Sequence, residues 1–328
     1  MGRRPASVLV YAFAHFAVDL GCAYAMFSAC GGGVAFLLYN FCAFALQMPL
    51  GLLADALGRN RRFALTGAAL VAVICCLPSL GRLGAAALGL GNGLFHIGAG
   101  LDVLNLSADR AGPLGVFVSP GAFGIFLGAL WGRSGLAAFP VLAALLLACG
   151  GMLLACRPDR MPQNAPLALP ERRVLPWAAL LFLVVALRSY GGLAASFPWK
   201  TGLWSLAAAT AVVLGKTLGG FLADRFGLFR SAAASLGLCA VLFGVSSSAV
   251  PGVLALLLFN MTMPMTLVCL ARAMPGAKGF SFGLLTFALF LGYLPVWLGA
   301  GTIGGFGMAA VAALSAALLL PGLHKLSR

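Results

Sequence analysis

Gly51-Leu-Leu-Ala-Asp55-Ala-Leu-Gly58-Arg59 is written twice in this chain, returning 169 residues later as Gly220-Phe-Leu-Ala-Asp224-Arg225-Phe-Gly227. Each copy closes a long apolar run and opens a short basic loop. Self-similarity at that distance, in a chain this apolar, predicts two like membrane-embedded halves joined in tandem. The phrase also makes physical sense residue by residue. Gly51 and Gly220 let a neighbouring helix come close. Asp55 and Asp224 stand where a span ends, Gly58 and Gly227 permit a turn, and Arg59, Arg61, Arg62, Arg225 and Arg230 put cations at the membrane surface. A carboxylate and a guanidinium placed there can lock two helices in one state and release them in another.

Hydrophobic residues make up 62% of the 328 positions and charged residues 9%, a balance that excludes a soluble domain. A bilayer core of ~30 Å takes ~20 apolar residues per helix. Reading the apolar runs against glycine, proline and charge predicts twelve spans, at 7–28, 32–54, 63–80, 84–106, 113–132, 135–156, 175–197, 202–223, 230–248, 252–271, 279–299 and 302–321. The expected architecture is an all-α integral membrane protein, its twelve transmembrane helices forming two pseudo-symmetric six-helix halves, 1–156 and 175–328. Between them lies a linker, 157–174, whose Pro158, Pro162, Pro166 and Pro170 and charges Arg157, Asp159, Arg160, Glu171, Arg172 and Arg173 exclude a span.

The net charge of +14 has a topological reading. With the N-terminus inside, 16 of the 21 lysines and arginines fall in inner segments, among them Arg3, Arg4, Arg160 and Arg328, against Arg82, Arg133 and Lys200 outside. That asymmetry predicts two cytoplasmic termini in a bacterial cytoplasmic membrane, and leaves no charge that a nucleic-acid partner is needed to explain. The nine cysteines sit in apolar surroundings without metal or redox spacing and read as packing residues. The basic start lacks an A-x-A-type cleavage site, so the first run reads as a retained helix. Tyr11 and the tryptophans at 131, 177, 199, 204 and 297 fall near span ends, as an interfacial belt would.

The loop phrase between spans two and three, with its copy between spans eight and nine, resembles the signature loop of the major facilitator superfamily. The resemblance extends over the whole chain through the twelve spans, the central linker and the inward termini. It implies a secondary transporter in which this motif locks the outward-facing state and spans one, four, seven and ten line a central cavity. Ala56 stands where a basic residue is usual, and Leu228 stands where the first copy has Arg59, so each lock is partly depleted. Ser119-Pro120-Gly121 in span five is similar to the glycine–proline motif of the family's antiporters, with Ser119 in place of glycine.

Charges inside spans are costly, about 2.5–3.5 kcal/mol each at the bilayer centre on insertion scales, so they mark cavities or partners. Span one carries His15 and Asp19, four apart on one face, with Asp19 at mid-depth. The repeat offset carries Asp19 onto Arg188 in span seven, so opposite charges occupy equivalent depths and could meet across a cavity or flank a substrate. Span four offers Asn92 and His96, again four apart, and span eight holds Lys216. Asp102, with Asp109 and Arg110, is expected to join the charge network of the loop motif. These residues are the candidates for substrate binding, proton coupling and gating, and they call for no cofactor and no resident metal.

Three histidines without H-E-x-x-H or comparable spacing argue against a membrane enzyme. The expected function is transport of a small molecule by a monomer in the lipid bilayer, coupled to protons, with an organic anion favoured because Arg188 and Lys216 outnumber Asp19 in the cavity. Proton-antiport efflux of lipophilic or cationic drugs, and a non-transporting membrane assembly protein, are the alternatives.

Overall fold

The computed structural model describes residues 4–30, 32–77, 79–157, 159 and 161–326. Arg3, Arg160 and Arg328 of the charge count and Pro158 of the linker lie outside them. Among the described residues the regular structure is all helical: α1 (Arg4–Ser28), α2 (Gly33–Asn40), α3 (Gln47–Leu57), α4 (Asn60–Cys75), α5 (Arg82–Leu106), α6 (Ala111–Val118), α7 (Pro120–Arg133), α8 (Phe139–Ala155), α9 (Leu175–Ala194), α10 (Gly202–Phe226), α11 (Leu228–Gly244), α12 (Ala249–Asn260), α13 (Thr262–Ala273), α14 (Lys278–Trp297) and α15 (Gly305–Leu326). A wider π-helical turn at Phe41–Ala45 links α2 to α3 within one rod.

Nine of these rods are long and apolar enough to cross a membrane, and α8 and α11 are apolar but shorter. The chain is a multi-pass membrane protein. Helices stand on all twelve expected ranges, but those on the third, sixth and ninth are α4, α8 and α11, of 16, 17 and 17 residues. Large apolar side chains stand exposed along the rods, including Leu9, Val73, Leu146 and Leu154 in the first part of the chain and Leu203, Val241 and Phe306 in the second. In water they would be a liability; against lipid they are the expected surface.

By contact the chain forms two units. The first comprises Met1–Ala108, Val116–Leu167 and Gly276–Phe287, the second Asp109–Gly115, Ala168–Pro275 and Ala288–Arg328. Two short stretches therefore side with residues from the other half of the sequence: the start of α6 with the second unit, and the start of α14 with the first.

In the first unit α7 lies against α1 backbone to backbone. Gly124, Gly128 and Gly132 form a stripe at four-residue spacing, and a Cβ on them would run into the carbonyls of Phe16, Leu20 and Tyr24 in turn. Only small residues allow that approach, the usual device for close helix pairs in lipid. Pro120, at the start of α7, lacks the N–H that would continue α6, which sets the break at Ser119. In the second unit Gly215 and Gly219 of α10 play the same part against the backbone at Leu257 and Met261.

Tyr11 is not in an interfacial belt. Its ring is fully buried in the first unit, and its hydroxyl donates to Asp102 at 2.5 Å. A phenol that finds a carboxylate partner tolerates burial that an unpaired hydroxyl would not.

Candidate functional site

In the first unit, α1 and α5 bring four sequence candidates together. His15 and Asp19 lie one turn apart on α1, Asn92 and His96 one turn apart on α5, and all four are buried. His15 Nε2 is 3.2 Å from Asp19 Oδ2, and His96 Nε2 is 3.7 Å from Oδ1. Asn92 Nδ2 donates to Oδ1 at 3.1 Å. The two imidazoles meet edge to face, with their Nε2 atoms 2.9 Å apart. His15 Nδ1 lies 2.7 Å from the carbonyl of Phe117, and His96 Nδ1 lies 2.9 Å from the carbonyl of Asn92. A carbonyl oxygen only accepts, so both Nδ1 atoms carry hydrogen and act as donors. The two Nε2 atoms then face each other and a carboxylate, an arrangement that calls for a proton or another cation between them. Gly121 closes the site from α7: a Cβ there would run into Asp19 Oδ2 and His15 Nε2.

Arg188 sits on α9 in the second unit. Its Nη2 donates to the carbonyl of Phe259 at 2.5 Å, and the guanidinium lies over the Phe259 ring, 4.6 Å from the centroid. Its Nε has no hydrogen-bond partner among the described residues. Asp19 and Arg188 thus each find partners within their own unit. Lys216, half-buried on α10, turns its backbone carbonyl toward Gly115, where a Cβ would lie 2.6 Å from it.

The two copies of the loop phrase make the same contact, one in each unit. Asp55 accepts the backbone N–H groups of Gly279 and Phe280, both at 2.8 Å, in the first turn of α14. Asp224 accepts those of Ala111 and Gly112, at 2.7 and 2.9 Å, in the first turn of α6. First-turn N–H groups have no partner within their own helix, and the positive end of the helix dipole favours an anion there. Gly51 and Gly220 make room for it: a Cβ on either would enter the backbone of Gly279 or Ala111. Gly58 (φ 61°) and Gly227 (φ 92°) turn the chain immediately after.

The carboxylate–guanidinium lock expected from sequence is therefore corrected. Each carboxylate holds a helix start, while Arg59, Arg62, Arg225 and Arg230 are exposed, Arg225 resting over the Phe226 ring. Asp102 meets the loop at Asn60 and feels the charge of Arg61, but not together with Asp109. It receives Tyr11 and, at 2.9 Å, the Asn60 amide; Asp109 belongs to the other unit, where its backbone carbonyl takes the Arg272 guanidinium. Asn60 in turn pairs with Asn164 of the linker, which also bonds Asn105 and the Ala54 carbonyl. The sequence reading missed Tyr11, Asn60 and Asn164. Asn60 directly follows the loop phrase, and Asn164 is one of two adjacent carboxamides, with Gln163, between Pro162 and Pro166.

No protein-family model and no curated protein matches the chain. Solved structures do. It is similar to the E. coli fucose:proton symporter FucP (TM-score 0.69, 15% identity, covering 99% of this chain and 98% of that one). It is likewise similar to the human organic anion transporter MFSD10 (TM-score 0.64, 15% identity, 97% and 100%). A bacterial homologue of the iron transporter ferroportin, in its outward-facing state, matches with TM-score 0.66 and 16% identity over 99% of both chains. The chain has the fold of major facilitator superfamily transporters.

Proposed function

We propose that the protein is a secondary transporter that moves a small organic anion by alternating access, coupled to protons. The observation that carries the reading is the repeated contact of Asp55 and Asp224 with the first turns of α14 and α6. Each joins residues from opposite halves of the sequence through a few charge-assisted hydrogen bonds. Such contacts are strong enough to favour one state and few enough to be broken in each cycle. Twelve spans in two six-helix halves, with both termini cytoplasmic in a bacterial plasma membrane, complete the proposal.

Arg188 would meet the anion. Its guanidinium has five N–H donors and uses one on Phe259, and among the described residues of its unit it has no carboxylate partner. Asp19 would carry the coupling proton. His15 Nε2 at 3.2 Å and His96 Nε2 at 3.7 Å stand beside its carboxylate and could share that proton with it. Likeness in fold to a sugar:proton symporter and an organic anion transporter is consistent with both roles.

The test is uptake into proteoliposomes of a panel of radiolabelled mono- and dicarboxylates, with and without an imposed pH gradient. Gradient-dependent accumulation of an anion, lost in Arg188→Ala, is expected. Wild-type anion transport in that variant, or preference for a lipophilic cation, would overturn the anion reading.

A further inference from the structure

The His15–Asp19–His96 cluster has more than a proton site requires. Its fitness for a cation rests on the donor count above, and the geometry narrows which cation fits. The potential ligand atoms all lie within 4.8 Å of one another. The two Nε2 atoms are 2.9 Å apart, a single ligand edge, while the Asp19 carboxylate meets His15 Nε2 through Oδ2 at 3.2 Å and His96 Nε2 through Oδ1 at 3.7 Å. Bond lengths of about 2.0–2.2 Å for imidazole and carboxylate give ligand–ligand edges of roughly 3.0 Å in octahedral and 3.4 Å in tetrahedral geometry. The imidazole planes stand at 89°, which lets both Nε2 lone pairs aim at one point without a ring clash.

A second, independent feature is the shell behind the ligands. Metal-bound histidines nearly always give their other N–H to a carbonyl or carboxylate, which fixes the tautomer and aims the ring. Both histidines do so here, to Phe117 and to Asn92. Asn92 steadies the carboxylate through Nδ2, while its buried Oδ1 has no hydrogen-bond partner among the described residues. Phe95 and Phe117 pack on the His15 ring and supply an apolar wall.

We propose that His15, Asp19 and His96 form a binding site for a first-row divalent transition-metal ion, held by the two Nε2 atoms and the Asp19 carboxylate. Two imidazoles and one carboxylate select borderline ions such as iron, cobalt or zinc over magnesium and calcium, which prefer oxygen alone. The three side chains leave coordination positions open for a further ligand.

The full-length protein, purified in detergent and stripped with chelator, is titrated with Co2+ as a visible-absorbing probe. One saturable equivalent is expected, not displaced by excess Mg2+. X-ray absorption of the wild-type complex should show scattering from two imidazole rings. Loss of a partner that orients a metal ligand costs about 10- to 100-fold in affinity, so Asn92→Ala should fall in that range and His15→Gln or His96→Gln beyond ~100-fold. Absence of a saturable equivalent, a spectrum without imidazole, or unchanged affinity in both folded histidine variants would overturn the site. The absorption measurement needs no variant, so a misfolded mutant does not block the test. Failure of Co2+ to bind a preparation that accumulates anion removes the metal site alone; binding without transport removes the transport reading alone.

Discussion

Replacing Asp55 by asparagine keeps the side chain's shape and removes its charge, which isolates what the helix start of α14 gains from the carboxylate. Asp55 is only 6% exposed and accepts two backbone N–H groups at 2.8 Å. Hydrogen bonds to a charged group contribute about 1.5–3 kcal/mol and neutral ones about 0.5–1.5. An anion at a partly buried helix N-terminus adds about 0.3–2 kcal/mol. Asparagine can still accept one N–H through Oδ1, but its Nδ2 would face the other donor. The net loss is therefore about 2–7 kcal/mol, or at least roughly 30-fold in the opening equilibrium at 1.4 kcal/mol per decade. Hydrogen–deuterium exchange of the peptide spanning 276–287 reads this directly, because Gly279 and Phe280 are the amides concerned. The expected result is faster exchange there, with expression and membrane insertion intact and transport reduced. Unchanged protection of those amides would refute the contact as an energetic lock, whatever happens to transport.

Asp224→Asn should act in the same direction but more weakly and with stronger salt dependence, since Asp224 is exposed and surface charges are screened; exchange at Ala111 and Gly112 across a salt series measures it. Asp19→Asn should abolish pH-gradient-driven accumulation in proteoliposomes while exchange without a gradient survives, and full accumulation in that variant would remove Asp19 from coupling. Arg188→Lys keeps the charge but loses the planar fork, so anion transport should drop sharply with little change in folding; equal rates for the two side chains would argue against bidentate recognition. Gly128→Leu places a side chain against the Leu20 carbonyl and should lower thermal stability by more than the about 1–3 kcal/mol typical of overpacking, as read by melting in detergent.

The helices of this protein are legible in its amino-acid order. They need only local information, an apolar run of bilayer length ended by glycine, proline or charge, and a helix stands on each predicted range. The short helices at the third and sixth positions escaped that reading because apolar residues extend beyond the helical turns, after Cys75 in α4 and before Phe139 in α8. Pairing His15 with Asp19 and Asn92 with His96 was also a local inference, since residues four apart share a helical face. Which faces meet was not local. His15 and His96 are 81 residues apart, and their contact depends on the rotation of α1 and α5, set in part by the α7 glycine stripe against α1.

The loop motif divides in the same way. Repetition, aspartate and glycine marked the contact, but its partner was assigned to arginine because charges are what a sequence displays. The actual partners are backbone N–H groups of Gly279 and Phe280, more than two hundred residues away. Every residue except proline has such a group, so no side-chain pattern announces it; only the placement of a helix start beside Asp55 turns it into an anion site. Sequence alone determined that the chain fills a membrane with helices, that a motif recurs, and which polar side chains are exceptional in lipid. Tertiary structure decided what those side chains touch, because partner choice rests on helix rotation and close approach, and neither is encoded within a single span.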